Sequence, residues 1–219
     1  MLLLGLCLLV ATLMFSMPVF GQGGAPLKLG EWSKEANSLL VYAPEPRKIQ
    51  FTAPDKKTVA VIDGTNLFVV RGGNKLSGIE DEGFLDPAEL GWASDSKGFF
   101  VTWSDGGSVG WWQTFVYLVE KERVRRINVT KEVEREFKKH YKCTDSEDPN
   151  IGAIKWLKGS RNLLVVAEVP PHSTCPQMGL FMGYIVSVPS GKILEQFSQQ
   201  RLKSVWGRYL GARLNPKAK

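Results

Sequence analysis

The sequence predicts a mainly β protein of antiparallel strands. Three observations carry this: short apolar runs bounded by turn residues, a strand–turn–strand unit that recurs along the chain, and only two segments with helical periodicity. The densest example is Leu90 to Glu120, LGWASDSKGFFVTWSDGGSVGWWQTFVYLVE. Trp92 opens a short run, and Ala93 to Gly98 then supply turn chemistry, because Asp and Ser side chains bond nearby backbone N–H groups and Gly accepts positive φ. Phe99 to Trp103 follows with aromatic and β-branched residues suited to a pleated surface. Ser104 to Gly110 is too Gly-rich for a strand interior, and Phe115 to Val119 is short, apolar and flanked by turns, which favours a strand over a helix.

The unit has a fixed internal spacing. Seven residues after Trp92, Phe99 opens an apolar run, and Trp156 stands in the same relation to Leu163 across LKGSRN. Trp32 leads through SKEANS to Leu39. Thr52 takes the aromatic place in a fourth copy, leading through APDKKT to Val59. Each copy is an anchor, a six-residue polar turn and a strand, and such self-similarity is the signature of repeat architectures.

These turns resemble the W-S-P-D-G-K turn of TolB-type, WD40-like β-propeller repeats. Ala53-Pro54-Asp55-Lys56 and Ala93-Ser94-Asp95-Ser96-Lys97 are the nearest matches. In that family a later strand ends in a G-K or D-G turn, which Ser187-Val188-Pro189-Ser190-Gly191-Lys192 and Asp63-Gly64 resemble. The resemblance covers roughly residues 50–195 and implies propeller-like antiparallel blades. The copies begin at 32, 52, 92 and 156, unevenly for blades of about 40–45 residues. About three units fit, whereas closed propellers have about four to eight. A partial propeller, a ring completed by a second copy and an irregular open sheet all satisfy this pattern.

Two helices are expected beside the sheets. Thr130 to Tyr141 places Val133, Phe137 and Tyr141 on one stripe among Glu, Lys and Arg neighbours, the mark of an amphipathic helix. Gln199 to Leu210 places Leu202, Val205, Trp206 and Tyr209 on one face, with Gly211 as a stop.

The 219 residues are 43% hydrophobic and 23% charged, an ordinary globular composition. The first 27 residues carry no charge, and Leu2 to Val10 precedes Pro18 and a small-residue position at Gly21. This is the grammar of a signal peptide cleaved near residue 21; the alternative is an N-terminal membrane anchor. The expected organisation is therefore a signal over 1–21, an N-terminal segment over 22–48, a propeller-like domain over 49–198 and a basic tail over 199–219. Removal of Cys7 with the signal leaves Cys143 and Cys175, a disulfide pair in an oxidising compartment. Secretion, or a periplasmic location, follows. The formal charge of +6 belongs to the tail, where Arg201, Lys203, Arg208 and Arg213 make a candidate contact for a membrane surface or anionic polymer.

Candidate chemistry is sparse. Gly106 to Gly110 matches the G-x-S-x-G nucleophile pattern around Ser108, with His140 or His172 and Asp145 or Asp148 as triad partners. That mechanism needs a helix after the serine, and a strand is expected there. The spacing of His140, Cys143, His172 and Cys175 fits no zinc pattern. Glu80, Asp81, Glu82 and Asp86, with Asp145, Glu147 and Asp148, read as solvated acidic turns rather than calcium loops. Asn128-Val129-Thr130 is a glycosylation sequon. The better binding candidate is the loop bearing Trp103, Asp105, Trp111, Trp112 and Gln113, where indole faces stand beside hydrogen-bonding groups. Adjacent Trp111 and Trp112 in a strand face opposite ways. The expectation is a non-catalytic binding or scaffolding module, without cofactor or metal, for another protein or an envelope polymer and with a homodimer in view. Nucleic acid is not an expected partner. The alternatives are a glycan-binding module using the tryptophan loop and a serine hydrolase or accessory segment of one.

Overall fold

The computed structural model describes residues 30–39, 48–79, 87–105 and 111–215. The segment over 1–21 expected to be a signal, the Ser108 loop and the acidic run at residues 80–86 lie outside them. The described residues form three antiparallel sheets and two helices.

The first sheet is a meander of β2 to β5, after the short strand β1 (Asn37–Leu39): β2 (Lys48–Thr52), β3 (Thr58–Asp63), β4 (Asn66–Arg71) and β5 (Asn74–Lys75). The second is β6 (Ala88–Trp92), β7 (Gly98–Ser104), β8 (Trp112–Val119) and β9 (Val124–Ile127), with β1 added beside β6. After helix α1 (Lys131–His140), the third sheet runs through β10 (Asn150–Leu157), β11 (Asn162–Glu168), β12 (Phe181–Ser187) and β13 (Ile193–Phe197), followed by α2 (Gln199–Trp206).

The seven-residue spacing is a register. Thr52 pairs with Val59, Trp92 with Phe99 and Trp156 with Leu163 across the first hairpin of each sheet. The first two turns are also alike in backbone, with Lys56 and Ser96, both four places after the anchor, at φ 58°. In the third turn the positive φ falls earlier, at Lys158 and Gly159. The Trp32 copy is different. Its strand, β1, pairs antiparallel with β6 as a fifth strand of the second sheet, and Trp32 itself is buried against the third. A second correction concerns the later turns. Ser187 to Lys192 joins the third and fourth strands of its sheet, whereas Asp63-Gly64 joins the second and third. The true counterpart in the first sheet is Gly72-Gly73, between β4 and β5, where both glycines have positive φ.

The sheets stack in series. One core lies between the first and second sheets, around Phe51, Ile62, Val69, Leu90, Phe99, Val101 and Tyr117. Another lies between the second and third, around Phe100, Val116, Leu163, Val165 and Tyr184, with Val133 and Phe137 of α1 sealing its margin. Each junction repeats the same bond. The Trp92 indole N–H donates to the carbonyl of Phe51 (3.0 Å), and that of Trp156 donates to the carbonyl of Gly91 (2.9 Å). In both cases the acceptor directly precedes the anchor of the earlier sheet. The turns lock similarly: the Asp55 N–H donates to Ser96 Oγ, while the Ser160 N–H and hydroxyl donate to Asp95 Oδ2. The stack does not close on itself.

The far face of the third sheet is covered by both ends of the described chain. Leu202 of α2, Leu210, Leu214 and Trp32 pack on Ile154, Leu164, Val166 and Phe181. Trp32 lies against Gly152 and Leu202 against Gly183, positions where a Cβ would collide with either side chain. The two ends also bond to each other, Gly211 N–H to the Trp32 carbonyl and Arg213 N–H to the Glu31 carbonyl. Two buried carboxylates anchor this closure. Glu89 accepts from the backbone N–H groups of Trp32 and Ser33. Burial pushes its carboxyl up to about 7, against the pull of these bonds. Glu168 receives the Arg213 guanidinium at 2.7 Å. Burial raises that carboxyl too, and Arg213 opposes the rise.

Both helices form where expected. The cap of α1 is supplied by Asn128, whose Oδ1 accepts from the N–H groups of Thr130 and Lys131, and not by the Thr130 side chain. α2 is capped by Ser198 and gives way to a single 3₁₀ turn over Gly207–Tyr209, so the second helix is shorter than its apolar stripe. Cys143, just beyond α1, is disulfide-bonded to Cys175 in the loop before β12, with Cα atoms 5.3 Å apart. No helix among the described residues is long and apolar enough to cross a membrane.

Candidate binding surface

The tryptophan cluster divides between the two faces of the second sheet, as strand alternation requires. Trp112 turns toward the third sheet. It is buried at 4% exposure, edge-on to Trp32 at 6.0 Å, and the Arg213 guanidinium lies 5.6 Å from its ring. Its role is structural, which removes it from the candidate site. Trp111, one residue earlier, is 36% exposed. Its N–H donates to Asp105 Oδ1, and the Asp105 N–H donates back to the Trp111 carbonyl, closing the base of the loop.

Trp103 and Gln113 are directly opposed on β7 and β8 and share one face of the sheet. Trp103 stacks with Phe115, ring centres 6.0 Å and planes 19° apart, and the Arg126 guanidinium lies over Phe115 at 3.8 Å. Trp103, Gln113 and Phe115 are half-buried, and Arg126 is exposed. The structure therefore assembles Trp103, Phe115 and Arg126 into an aromatic–cationic stack with Gln113 alongside and Trp111 at its margin. Phe115 was concealed in sequence within a continuous apolar run, although its two-residue step from Gln113 places it on this face. Arg126 had no local signal, because β9 brings it across from the next strand.

The chain matches no known family model, no curated protein and no solved structure. Function is therefore read from these residues alone.

The basic tail is not a uniform free surface. Arg213 is half-buried in its pair with the buried Glu168, Arg201 pairs with Glu195 and lies over Phe197, Lys203 lies over Phe181, and Arg208 bonds the Tyr209 hydroxyl. Arg213 thus holds the C-terminal segment on its own domain, while Arg201, Lys203 and Arg208 remain exposed. Of the other candidates, Ser108 lies outside the described residues. His140 faces Glu136 on α1, and His172 is exposed in the proline-rich turn with φ 68°. Glu147 accepts from Thr174 and Asp148 pairs with Lys138, so both acidic side chains tie α1 and its following loop in place. No group of three potential metal ligands converges among the described residues.

Proposed function

We propose that the chain is a secreted or periplasmic binding module without catalysis, its three sheets being blades of an open propeller-like stack. The observation that carries this reading is the stack of Trp103, Phe115 and Arg126 on the second sheet. Aromatic and arginine side chains dominate the energetics of recognition surfaces because they present large rigid area with a polar handle. The shared strand order of the three meanders and the recurrence of the indole-to-carbonyl bond support the blade reading. The disulfide is compatible with an extracellular or periplasmic setting.

The partner we favour is another protein. A ring completed by a second copy would need the far face of the third sheet, which α2 and the chain ends already occupy. A glycan is the second reading, favoured by the exposure of Trp111 beside Asp105. The serine-hydrolase alternative depends on Ser108 and gains no support from the described residues.

Site-specific photocrosslinking in the producing cell tests the proposal. A crosslinker at Trp111 is expected to trap one discrete protein adduct, lost on Trp103→Ala, while a crosslinker at Glu132 on α1 traps none. Equal labelling from both positions would refute a specific surface here. Trp103-dependent quenching of tryptophan fluorescence by an oligosaccharide, without a protein adduct, would move the assignment to the glycan reading.

A further inference from the structure

The end of the second sheet opposite the aromatic stack carries a different feature. There a cleft of about 450 Å³ opens among Arg71, Lys97, Leu118, Val119, Glu120, Lys121 and Ser160. It draws on all three sheets: the end of β4, the β6–β7 and β8–β9 turns, and the turn between β10 and β11. Its lining carries three cations against one carboxylate, and that carboxylate is engaged elsewhere, since Glu120 bonds Arg123 at 2.6 Å and Arg125 at 3.1 Å.

The nearby acids in the turns are hydrogen-bonded within them, although Asp55 still attracts Arg71 and Asp95 still attracts Lys97 electrostatically. Asp55 accepts from the N–H groups of Lys57 and Thr58 and from the Thr58 hydroxyl. Asp95 accepts from Lys97 N–H and from Ser160. Arg71 is held by neutral acceptors: its Nε donates to Thr58 Oγ1 at 3.0 Å, and its Nη1 to the Glu120 carbonyl at 2.8 Å. Thr58 is itself fully buried. The guanidinium is thus fixed in place with its Nη2 unengaged by the described residues. The ammonium groups of Lys97 and Lys121 make no ion pair among the described residues either.

We infer that this cleft is a binding site for a phosphate group. A rigid guanidinium supplies directional donors, two mobile ammonium groups add charge, and a tetrahedral dianion satisfies both better than a single carboxylate does. The cleft exceeds the size of one phosphate and opens to solvent, so the group arrives on a larger molecule, either a small phosphoester or a phosphate-bearing polymer. The inference stands apart from the aromatic stack, which occupies the other end of β7 and β8.

The test is an amide chemical-shift titration of the full-length disulfide-bonded protein with inorganic phosphate at constant ionic strength, then with long-chain polyphosphate. Saturable shifts are expected at Lys97, Glu120, Lys121 and Ser160. Arg71→Gln should weaken the apparent affinity at least about tenfold and Lys97→Gln with Lys121→Gln several-fold, while Arg135→Gln on α1 leaves it unchanged. The double lysine variant keeps the test decisive should Arg71→Gln disturb the turns. Tighter binding of polyphosphate at the same amides identifies a polymer, and equal binding per phosphate a small phosphoester. Non-saturating shifts, an equal response to acetate, or insensitivity to the lysine variants would overturn the assignment. None of these outcomes bears on the crosslinking at Trp111.

Discussion

The junction between the first and second sheets and the junction between the second and third are built from the same repeat but secured differently. Both have an indole donating to the carbonyl before the earlier anchor, and both have interlocked turns. The first junction is tied further by Arg71 Nη1 to the Glu120 carbonyl, by Ser77 N–H and Oγ to the Glu122 carbonyl, and by Val124 N–H to the Ser77 carbonyl. The second junction gains Thr114 Oγ1 to the Ile151 carbonyl, Ala153 N–H to Thr102 Oγ1, and Trp112 N–H to Asn150 Oδ1. It is further sealed by α1, and the chain ends and disulfide brace the third sheet. The second and third sheets are covered on both faces. The first has one face in a core, and among the described residues its other face presents half-buried Val59, Phe68 and Val70, with Lys75 over the Phe68 ring. The repeat defines how sheets meet, while features outside the repeat decide which junction is strong.

The largest way to unbalance the junctions is to break the buried pair at the closure. Arg213→Ala leaves Glu168 buried without its cation, and loss of one partner of a buried pair costs about 3–5 kcal/mol. Chemical denaturation should show that loss with the third sheet unfolding earlier. If the variant instead loses less than about 1 kcal/mol, the closure does not brace the second junction.

Removing the disulfide by Cys143→Ser with Cys175→Ser should destabilise by roughly 3–4 kcal/mol on the loop-entropy account. The 32-residue separation falls wholly on the third-sheet side. The first sheet should therefore be indifferent to it, as read by hydrogen exchange in β3 and β4.

Glu89 makes the closure pH-dependent. Its carboxyl rises from an ordinary 4.5 to about 7 in the folded chain, so the folded state binds the proton more tightly than the unfolded state. The corresponding stability is full below pH 4.5, falls as pH rises toward 7 and is lost above it. The shift corresponds to roughly 3 kcal/mol across that window. Glu89→Gln should flatten the wild-type slope between pH 4.5 and 7 in thermal melts, and an unaltered slope would assign the proton elsewhere.

The two junction indoles offer the smallest and most symmetrical comparison. Trp92→Phe and Trp156→Phe each remove one hydrogen bond worth about 1 kcal/mol along with some packing. Similar losses in the two variants support a common junction. A loss confined to one would show that the repeat bond is decorative at the other.

What could be read in sequence was the part that repeats. The spacing from Trp92 to Phe99 and from Trp156 to Leu163 encoded a cross-strand register, and the polar turn between them encoded the hairpin. The same rule failed at Trp32, because a spacing says nothing about whether the indole meets its own hairpin or a distant glycine, here Gly152. Alternation separated Trp111 from Trp112 correctly, yet Arg126 reached the surface by pairing across strands, which no local pattern records. One tail charge was drawn inward for a related reason. Arg213 finds Glu168 only after the chain has closed, whereas Arg71, an unremarkable strand-end residue in sequence, is left lining a cleft by its neighbours' commitments.

Native-state hydrogen exchange tests the asymmetry most directly, because it measures opening free energies strand by strand. The account predicts that amides of β3 and β4 exchange through a partial unfolding of the first sheet, at lower free energy than those of β7, β11 and β12. Equal opening free energies across all three sheets, or earlier opening of the third, would contradict it.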